Sequence, residues 1–285
     1  MNNHNVKIGN DILQVEIAPM GAELQSVKLN GKERLWQGDP KFWTGRAPIL
    51  FPVCGSLKNK EYTFNGKKYG INQHGFARRK MFEVVSVTET SAAFALKSDE
   101  ETKTVYPFDF TLTACYEVVG EKLRVTYKIH NDGKDEMWAF IGSHEAYAIE
   151  KPLDSYDIVF DKDEKFLSRI VVEGSLVSAD CDDFGSGKVL AVNDELFKRS
   201  TAVFVGINSR KITLRECGKP FVSIEFDASN LLIWQMPGAN YICLEPWTNY
   251  PDETTADGNI LHKPCVTLIG GGKTYENAHE IEFFD

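Results

Sequence analysis

Apolar and polar residues alternate with a period of two along much of the chain. The clearest case is a pair of segments, 110–118 and 123–129, with Gly120-Glu121 between them. This pattern predicts an antiparallel hairpin with one buried and one exposed face. Asn30-Gly31 and Asn65-Gly66 each lie between two candidate strands. Because both residue types tolerate positive φ, these pairs predict two further hairpins.

The second half of the chain continues the same pattern. Its apolar segments are separated by turn residues and lie at 202–207, 211–214, 221–226, 231–234 and 241–244. Short strands at such regular spacing are typical of a β-sandwich or a barrel. Residues 151–190 are rich in charge and glycine, so we interpret them as loops and edge strands. Gly270-Gly271-Gly272 predicts a turn before the last strand, since the rest of a phosphate-binding loop is missing.

Helical signals are few and short. Asp39-Pro40 predicts one helical turn over Lys41-Phe42-Trp43, and Asn193 or Asp194 would cap a short helix ending at Arg199. We find no convincing helix of ten residues or more, and no change of composition marks a linker. The sequence therefore predicts one continuous all-β domain over residues 1–285.

Composition and charge exclude several classes of partner. The net charge of −9 and the pI near 5.3 argue against nucleic acid and anionic membranes, since both need clustered cations. The sequence has no run of 18 apolar residues and no secretory signal, so we expect a soluble cytoplasmic protein. The closest two of the six cysteines are 22 residues apart (243 to 265), which leaves no CxxC motif. We expect reduced, buried cysteines without a disulfide framework.

Glu245 is a candidate general base because of its neighbours. Tyr241 to Leu244 predicts a strand, which we expect to stop at Glu245-Pro246-Trp247, because proline cannot donate to a strand ladder. Next to a tryptophan, the carboxylate would be partly desolvated, which raises its pKa toward the range of a general base. The alternative is a surface glutamate at the start of a turn. Gly142-Ser143-His144 follows the apolar segment 137–141 in the same way.

The sequence gives no support for metal or serine chemistry. His262 and His279 lack any paired-ligand spacing, so we expect no metal site, and no serine lies in a GxSxG motif. Arg46 precedes an apolar loop fixed by two prolines. Its guanidinium could tether backbone carbonyl groups or donate to the hydroxyl groups of a ligand.

A set of motifs in a fixed order extends these observations to nearly the whole chain. The motifs are His74-Gly75-Phe76-Ala77-Arg78, Gly142-Ser143-His144 and Leu244-Glu245-Pro246-Trp247, accompanied by the blocks 43–52, 106–110, 196–198 and 233–234. Together they resemble the aldose 1-epimerase (mutarotase) family, in particular its LacX-like branch. The resemblance implies a large antiparallel supersandwich of the galactose mutarotase-like type, with few short helices and a sugar-binding cleft.

The resemblance also implies an activity and site residues. His74 and His144 match the two active-site histidines of the family, Glu245 its catalytic carboxylate, and Arg46 an arginine that contacts sugar hydroxyls. The implied reaction interconverts the α and β anomers of a hexose without a metal or cofactor. It requires protonation of the ring oxygen and deprotonation of the anomeric hydroxyl. We expect Glu245 to be the base, His144 the acid and His74 a donor to the ring oxygen.

Other residues complete the expected sugar site and leave a second activity open. Trp247 or Phe76 would cover a face of the sugar. Arg46, Arg78 and Arg79 suggest the alternative of a sugar-phosphate (hexose-6-phosphate) 1-epimerase, because guanidinium groups bind phosphate, although Arg78 and Arg79 could simply lie at the surface. The expected partner is a small sugar, and a homodimer is one alternative for the oligomeric state.

Two departures from the family pattern keep a third alternative open, a non-catalytic carbohydrate-binding or sensing sandwich. Glu145 stands where the family usually has proline, and Ser200 where related chains often have aspartate. If Glu145 approaches His144 it would raise the pKa of that histidine, whereas in solvent it would have no effect.

Overall fold

Antiparallel strands build most of the protein, whose computed structural model describes residues 4–285. Within this range the strands, in chain order, are β1 (Val6–Gly9), β2 (Leu13–Ile17), β3 (Leu24–Leu29), β4 (Lys32–Glu33), β5 (Glu61–Phe64), β6 (Lys67–Gly70), β7 (Glu83–Val87), β8 (Ser91–Lys97), β9 (Phe110–Val119), β10 (Lys122–Asn131), β11 (Met137–Ala139), β12 (Ala146–Ala148), β13 (Tyr156–Val172), β14 (Leu176–Ala191), β15 (Thr201–Phe204), β16 (Lys211–Glu216), β17 (Lys219–Phe226), β18 (Asn230–Trp234), β19 (Tyr241–Trp247), β20 (Thr267–Ile269) and β21 (Thr274–Phe283). The all-β prediction is therefore confirmed.

One α-helix, α1 (Glu100–Val105), lies within the described range, at a place where the sequence predicted none. The Asp99 carboxylate accepts the backbone N–H of Thr102 (2.6 Å), and the Thr102 hydroxyl accepts that of Asp99 (2.8 Å). This reciprocal capping box starts the helix. The remaining helical elements are short 3₁₀ turns at Lys58–Lys60, Ala77–Arg79, Leu153–Ser155, Glu173–Ser175 and Ile260–His262.

The prediction of helical structure at residues 41–43 and 193–199 is wrong, because both segments are turns. Asp39 starts a turn by accepting the backbone N–H groups of Phe42 and Trp43 at 3.0 Å, and the chain then leaves helical geometry. Asn193 does cap its segment, since its side chain accepts the N–H of Leu196 at 3.0 Å, but no regular helix follows. None of the helices within residues 4–285 is both long and apolar enough to cross a membrane.

A 13-stranded antiparallel sheet organises the molecule. Its strand order is β12-β19-β18-β15-β13-β16-β17-β21-β10-β9-β8-β7, and β14 pairs with β13 beside this path. β1 to β4 form a second sheet, while β11-β20 and β5-β6 are two-stranded. The predicted hairpins at Asn30-Gly31, Asn65-Gly66 and Gly120-Glu121 are confirmed, since each joins two paired strands. Gly270-Gly271-Gly272 forms the expected turn before β21.

The large sheet curls so that distant strands face each other across a core. Tyr147 of β12 packs against Phe283 of β21, with ring centroids 6.3 Å apart, although many strands separate them in the sheet order. The alternation of β9 and β10 places one set of residues in this core and the other toward the surface. The second sheet contacts the β7–β8 turn of the large sheet through Gly9 of β1, whose N–H donates to the carbonyl oxygen of Glu89 (2.8 Å).

Residues 151–190 depart most from the sequence-based interpretation. They form the long hairpin β13–β14, and β13 also pairs with β15 and β16, so it is an interior strand rather than an edge strand or a loop. Register shifts interrupt the β13–β14 ladder at three places. Glu164 is buried inside β13, where its carboxylate accepts the N–H groups of Asn208 (2.8 Å) and Ser209 (2.6 Å). Bulges and a buried carboxylate break the alternation that would have identified the strand.

Candidate active site

Glu245 lies inside β19, not at the end of a strand as predicted. The strand continues through Pro246 to Trp247 and stays paired with β18. Leu244 and Thr248 direct their N–H groups toward residues 141–145, so the missing N–H of Pro246 falls on that side. There the pairing consists of isolated bridges, and the missing donor therefore leaves the β18 ladder intact. Glu245 is 1% exposed, so the alternative of a surface glutamate is wrong.

Strand register brings His144 directly opposite Glu245. Ala146 pairs with Cys243 and Gly142 with Trp247, and the same antiparallel register sets residue 144 against residue 245. Directly opposed side chains share one face of a sheet. His144 Nε2 lies 3.3 Å from Glu245 Oε2. The atoms are close but not aligned as a hydrogen bond, so Glu245 Oε2 is buried without a hydrogen-bond partner.

His74 reaches the same place from a tight turn. His74 and Gly75 both have positive φ (65° and 66°). A Cβ on Gly75 would lie 2.1 Å from the carbonyl oxygen of Phe51, so only glycine fits there. The N–H of Gly55 donates to His74 Nδ1 (3.1 Å), which leaves the ring proton on Nε2. The rings of His74 and His144 are 5.7 Å apart.

Tryptophan rings enclose the two histidines. The rings of Trp43 and Trp234 lie 5.0 and 5.4 Å from that of His144, and both tryptophans are half-buried. Trp247 is buried, packs edge-on against His74 at 5.4 Å and donates from Nε1 to the carbonyl oxygen of Ser143 (2.9 Å). Trp247 therefore fixes His74 by ring packing and holds the backbone next to His144 by its hydrogen bond to Ser143. Trp43 and Trp234, for which no role was predicted, pack against the ring of His144. Their place in the family-like blocks was the only signal for them in the sequence.

The predicted arginines are partly engaged by the protein, and Arg78 is close enough to lower the pKa of both histidines. Arg46 donates from Nη2 to the carbonyl oxygen of Gln37 (2.9 Å), as a structural tether would. Arg78 donates from Nη2 to the carbonyl oxygen of Gln73 (3.0 Å). The Nε atoms of both guanidinium groups are buried without a hydrogen-bond partner. Each arginine thus has one unsatisfied donor that is closed off from solvent, in addition to the Nη2 group that holds a backbone carbonyl oxygen.

Phe76 lies apart from the histidine pair. It packs against core aromatic residues that include Phe51 and Phe110, with ring centroids 5.9 Å from each. Together with Arg79 it lines a cavity of about 370 Å³ that does not include His74, His144 or Glu245. The structure therefore brings Trp247, but not Phe76, against the histidines.

Burial shifts the pKa values of the facing groups in opposite directions. Burial raises the pKa of Glu245 well above its ordinary value, and the nearby charge of Glu145 raises it further. Burial lowers the pKa of His144 to about 4, helped by the charge of Arg78. Burial also lowers the pKa of His74. Both partners of the His144–Glu245 pair therefore favour their neutral forms, and the pair shares one proton over a wide pH range.

Glu145 does not lie in solvent, and its charge raises the pKa of His144, as expected of a nearby carboxylate, although burial outweighs that effect. As the neighbour of His144 it points to the other face of the sheet. There its Oε1 lies 3.0 Å from Nε2 of His279 on β21, and both side chains are 2% exposed. Burial alone would raise the pKa of Glu145, but the charge and the hydrogen bond of His279 outweigh it and hold the pKa below its ordinary value. His279, isolated in the sequence, thus lies directly behind the candidate site.

Cys243 adds a third metal-binding type of side chain to this face. It lies two residues before Glu245 on β19, and one potential ligand atom from each of His144, Cys243 and Glu245 lies within 4.8 Å of the others. Pairing between strands, not spacing along the chain, brings these three side chains together, so no paired-ligand motif in the sequence marks them. All six cysteines are free, as predicted. Only Cys54 and Cys243 are buried, however, whereas Cys181, Cys217 and Cys265 are exposed, which corrects the expectation that all are buried.

Another cavity lies away from these residues. It has a volume of about 310 Å³ and contains Tyr250, Asp252 and Lys263. Its buried charges satisfy each other, since Lys263 Nζ lies 2.6 Å from Asp252 Oδ1. The cavity is also lined by the pair His262–Asp257, which is exposed (64% and 59%) and therefore lacks the desolvation of His144 and Glu245.

Comparisons with known proteins agree with this geometry. A family model described as aldose 1-epimerase matches residues 4–278. The chain is 31% identical to the plasmid-encoded protein LacX of Lactococcus lactis subsp. lactis over 295 residues, which covers 97% of this chain and 98% of that protein.

Solved structures of similar proteins cover almost the whole chain. A galactose mutarotase related enzyme from Lactobacillus acidophilus superposes with a TM-score of 0.88 and 30% identity, covering 99% of this chain and 97% of that one. A galactose mutarotase-like protein from Lactobacillus casei ATCC 334 has a TM-score of 0.91 and 28% identity, covering 98% of this chain and 100% of that one. The predicted galactose mutarotase-like β-sandwich is therefore confirmed.

Proposed function

The chain belongs to the aldose 1-epimerase family, and we propose that it interconverts the α and β anomers of a hexose by acid–base-assisted ring opening. One observation carries the proposal: His144 Nε2 and Glu245 Oε2 face each other at 3.3 Å, both side chains are buried, and His74 lies beside them. A paired acid and base of this kind is what the opening and closing of a hemiacetal ring requires.

The proposed reaction uses Glu245 as the base and His144 as the acid. Glu245 first passes the proton of the neutral pair to His144 across the 3.3 Å gap. The resulting carboxylate removes the proton of the anomeric hydroxyl, the bond between C1 and the ring oxygen breaks, and the ring oxygen takes the proton of His144. Rotation about the C1–C2 bond presents the other face of the aldehyde. The same steps in reverse close the ring as the opposite anomer and return both protons.

The remaining side chains bind the sugar and stabilise charge in this scheme. His74 carries its ring proton on Nε2, because Nδ1 accepts the N–H of Gly55, and it donates to the ring oxygen as charge develops there. The rings of Trp43 and Trp234 provide apolar surface for a sugar face. Arg46 and Arg78 donate to sugar hydroxyls from the guanidinium N–H groups that the carbonyl oxygens of Gln37 and Gln73 leave free. The reaction needs no cofactor, and we expect it to take place in the cytoplasm.

The test is the rate of anomer relaxation of freshly dissolved α-glucose and α-galactose, followed by polarimetry. The wild type should accelerate relaxation, and Glu245→Gln or His144→Asn should each lose roughly a hundredfold or more. Matched controls are Glu121→Gln, at an exposed hairpin turn, and His262→Asn, at a side chain that is 64% exposed. If the wild type accelerates no aldose, the proposal fails, and calorimetric sugar binding without acceleration would select the carbohydrate-binding alternative.

A sugar-phosphate 1-epimerase is the second candidate, favoured by the guanidinium groups of Arg46 and Arg78, each of which keeps N–H groups beyond the one that holds a carbonyl oxygen. Two features oppose it. Each guanidinium already donates to a backbone carbonyl oxygen, and the protein carries a net charge of −9. Comparing kcat/KM for glucose 6-phosphate and glucose separates the two candidates. A higher value for the phosphorylated sugar that falls on Arg78→Gln would favour this second function.

A further inference from the structure

The proposed anomer interconversion makes no use of Cys243, although this thiol shares a face with the acid–base pair. Cys243 and Glu245 are two residues apart on β19, and His144 lies opposite Glu245 on the neighbouring segment. One sulfur, one imidazole nitrogen and one carboxylate oxygen thus come together within 4.8 Å of one another. These are the ligand types that Zn²⁺ takes in proteins.

The distances suit a tetrahedral zinc ion after small side-chain movements. Zinc bond lengths of roughly 2.0–2.3 Å place its ligand atoms roughly 3.3–3.7 Å apart. His144 Nε2 and Glu245 Oε2 are already 3.3 Å apart. No separation within the cluster exceeds 4.8 Å, so contraction by roughly 1 Å completes the site.

Unsatisfied atoms at the cluster indicate capacity for a ligand. Glu245 Oε2 and His144 Nδ1 are both buried without hydrogen-bond partners, and Glu245 is 1% exposed. A buried polar atom without a partner is costly, and coordination to a cation would satisfy the carboxylate. Cys243 is fully buried beside Tyr241 and Ala146, which excludes bulk water from the sulfur.

We propose that His144, Cys243 and Glu245 form a Zn²⁺ site, and that Zn²⁺ bound there inhibits the enzyme by occupying its acid–base pair. Cys243 binds as a thiolate and Glu245 as a carboxylate, so binding releases two protons to solvent. The two negative charges then balance the cation in a buried setting. Water completes the fourth position at the exposed edge of His144.

Inhibition follows because the metal and the sugar need the same atoms. While Zn²⁺ is bound, Glu245 cannot accept the anomeric proton and His144 cannot protonate the ring oxygen. Zinc should therefore compete with aldose, and a chelator should restore activity. The inhibitory effect rests on the proposed function, whereas metal binding itself does not.

Metal binding can be tested independently of enzymatic activity by titrating the protein with Co²⁺, because a bond between Co²⁺ and a thiolate absorbs in the near ultraviolet. We expect one equivalent of Co²⁺ to produce this absorption and Zn²⁺ to displace it. Cys243→Ala should abolish the band, and Cys243→Ser serves if the alanine variant does not fold. The control is the triple variant Cys181→Ser, Cys217→Ser, Cys265→Ser, which removes the exposed thiols and should keep the band.

Inhibition is tested by adding Zn²⁺ to the anomer-relaxation assay and then reversing it with EDTA. The inhibition constant of Zn²⁺ should rise at least roughly tenfold in Cys243→Ala, relative to that variant's own metal-free activity. Absence of the cobalt band in the wild type, its survival in Cys243→Ala, or its loss in the triple variant would overturn the site. A band without inhibition would overturn the blocking role, and a protein inactive without metal would count against the proposed function only.

Discussion

Replacing His279 with alanine is expected to lower the free energy of unfolding by roughly 3–5 kcal/mol, because it leaves a buried carboxylate without its partner. His279 Nε2 lies 3.0 Å from Glu145 Oε1, and each side chain is 2% exposed. The second oxygen, Glu145 Oε2, is already buried without a hydrogen-bond partner. Water therefore cannot replace the lost contact without opening the core between β12 and β21.

A double-mutant cycle separates this charge effect from the cavity that alanine leaves. Glu145→Gln removes the negative charge while keeping an acceptor oxygen for His279. In that background His279→Ala loses packing but leaves no unpaired charge. The coupling energy between the two substitutions should therefore be roughly 2–3 kcal/mol.

The assay is urea unfolding followed by tryptophan fluorescence. His130→Ala is the control, since that side chain is 40% exposed, and it should change stability by less than about 1 kcal/mol. The pKa of Glu145 is depressed in the folded state, so its stabilising charge is present above its unfolded pKa and is lost as the pH falls through its folded pKa. The effect of His279→Ala should therefore shrink in acid. An equal loss in the wild-type and Glu145→Gln backgrounds, or a loss below about 1 kcal/mol, would refute the reasoning.

Three further outcomes are expected. With a chelator present, the plot of kcat/KM against pH should be bell-shaped, because the active His144–Glu245 pair holds one proton. The lower limb should lie near pH 4, the pKa of His144, and the upper limb at a pH well above the ordinary glutamate pKa of 4.5. A lower limb near the ordinary histidine value of about 6.5 would contradict this. Glu145→Gln should move the upper limb to lower pH, since the Glu145 charge raises the pKa of Glu245, and an unmoved limb would count against that coupling. Gly75→Ala should lower kcat by roughly tenfold or more, because the new Cβ would lie 2.1 Å from the carbonyl oxygen of Phe51 and would displace His74. Gly66→Ala is the control and should leave kcat unchanged, since its Cβ would meet open space.

The fold could be predicted wherever local physics and tertiary structure agree. The hairpins at Asn30-Gly31 and Asn65-Gly66 follow from turn chemistry alone, and β9–β10 from a clean alternation of apolar residues. The β13–β14 hairpin was not predicted, because bulges shift the alternation of its apolar residues and because Glu164, although buried, looks like a surface residue in the sequence. Helix α1 is only six residues long and is held by its cap, with no apolar stripe to indicate it.

The sequence predicted which residues form the centre of the candidate site, but not which side chains surround them. His74, His144 and Glu245 came from motifs, and the structure brings them together. The contribution of Cys243 depends on which residues face each other across strands, and no motif contains it. His279 is separated from Glu145 by more than a hundred residues, so only the curl of the sheet explains their contact.

The register between residues 142–148 and β19 determines which side chain faces the candidate active site. Side chains alternate along an extended segment, so a slip of one residue would exchange His144 and Glu145 between the two faces. A second carboxylate would then stand opposite Glu245, and a histidine would enter the core without its partner. The bridge of Gly142 to Trp247 and the pairing of Ala146 with Cys243 prevent this slip from both sides of His144. The buried Glu145–His279 contact adds a third constraint from behind the sheet, so Glu145 also helps to hold His144 in place.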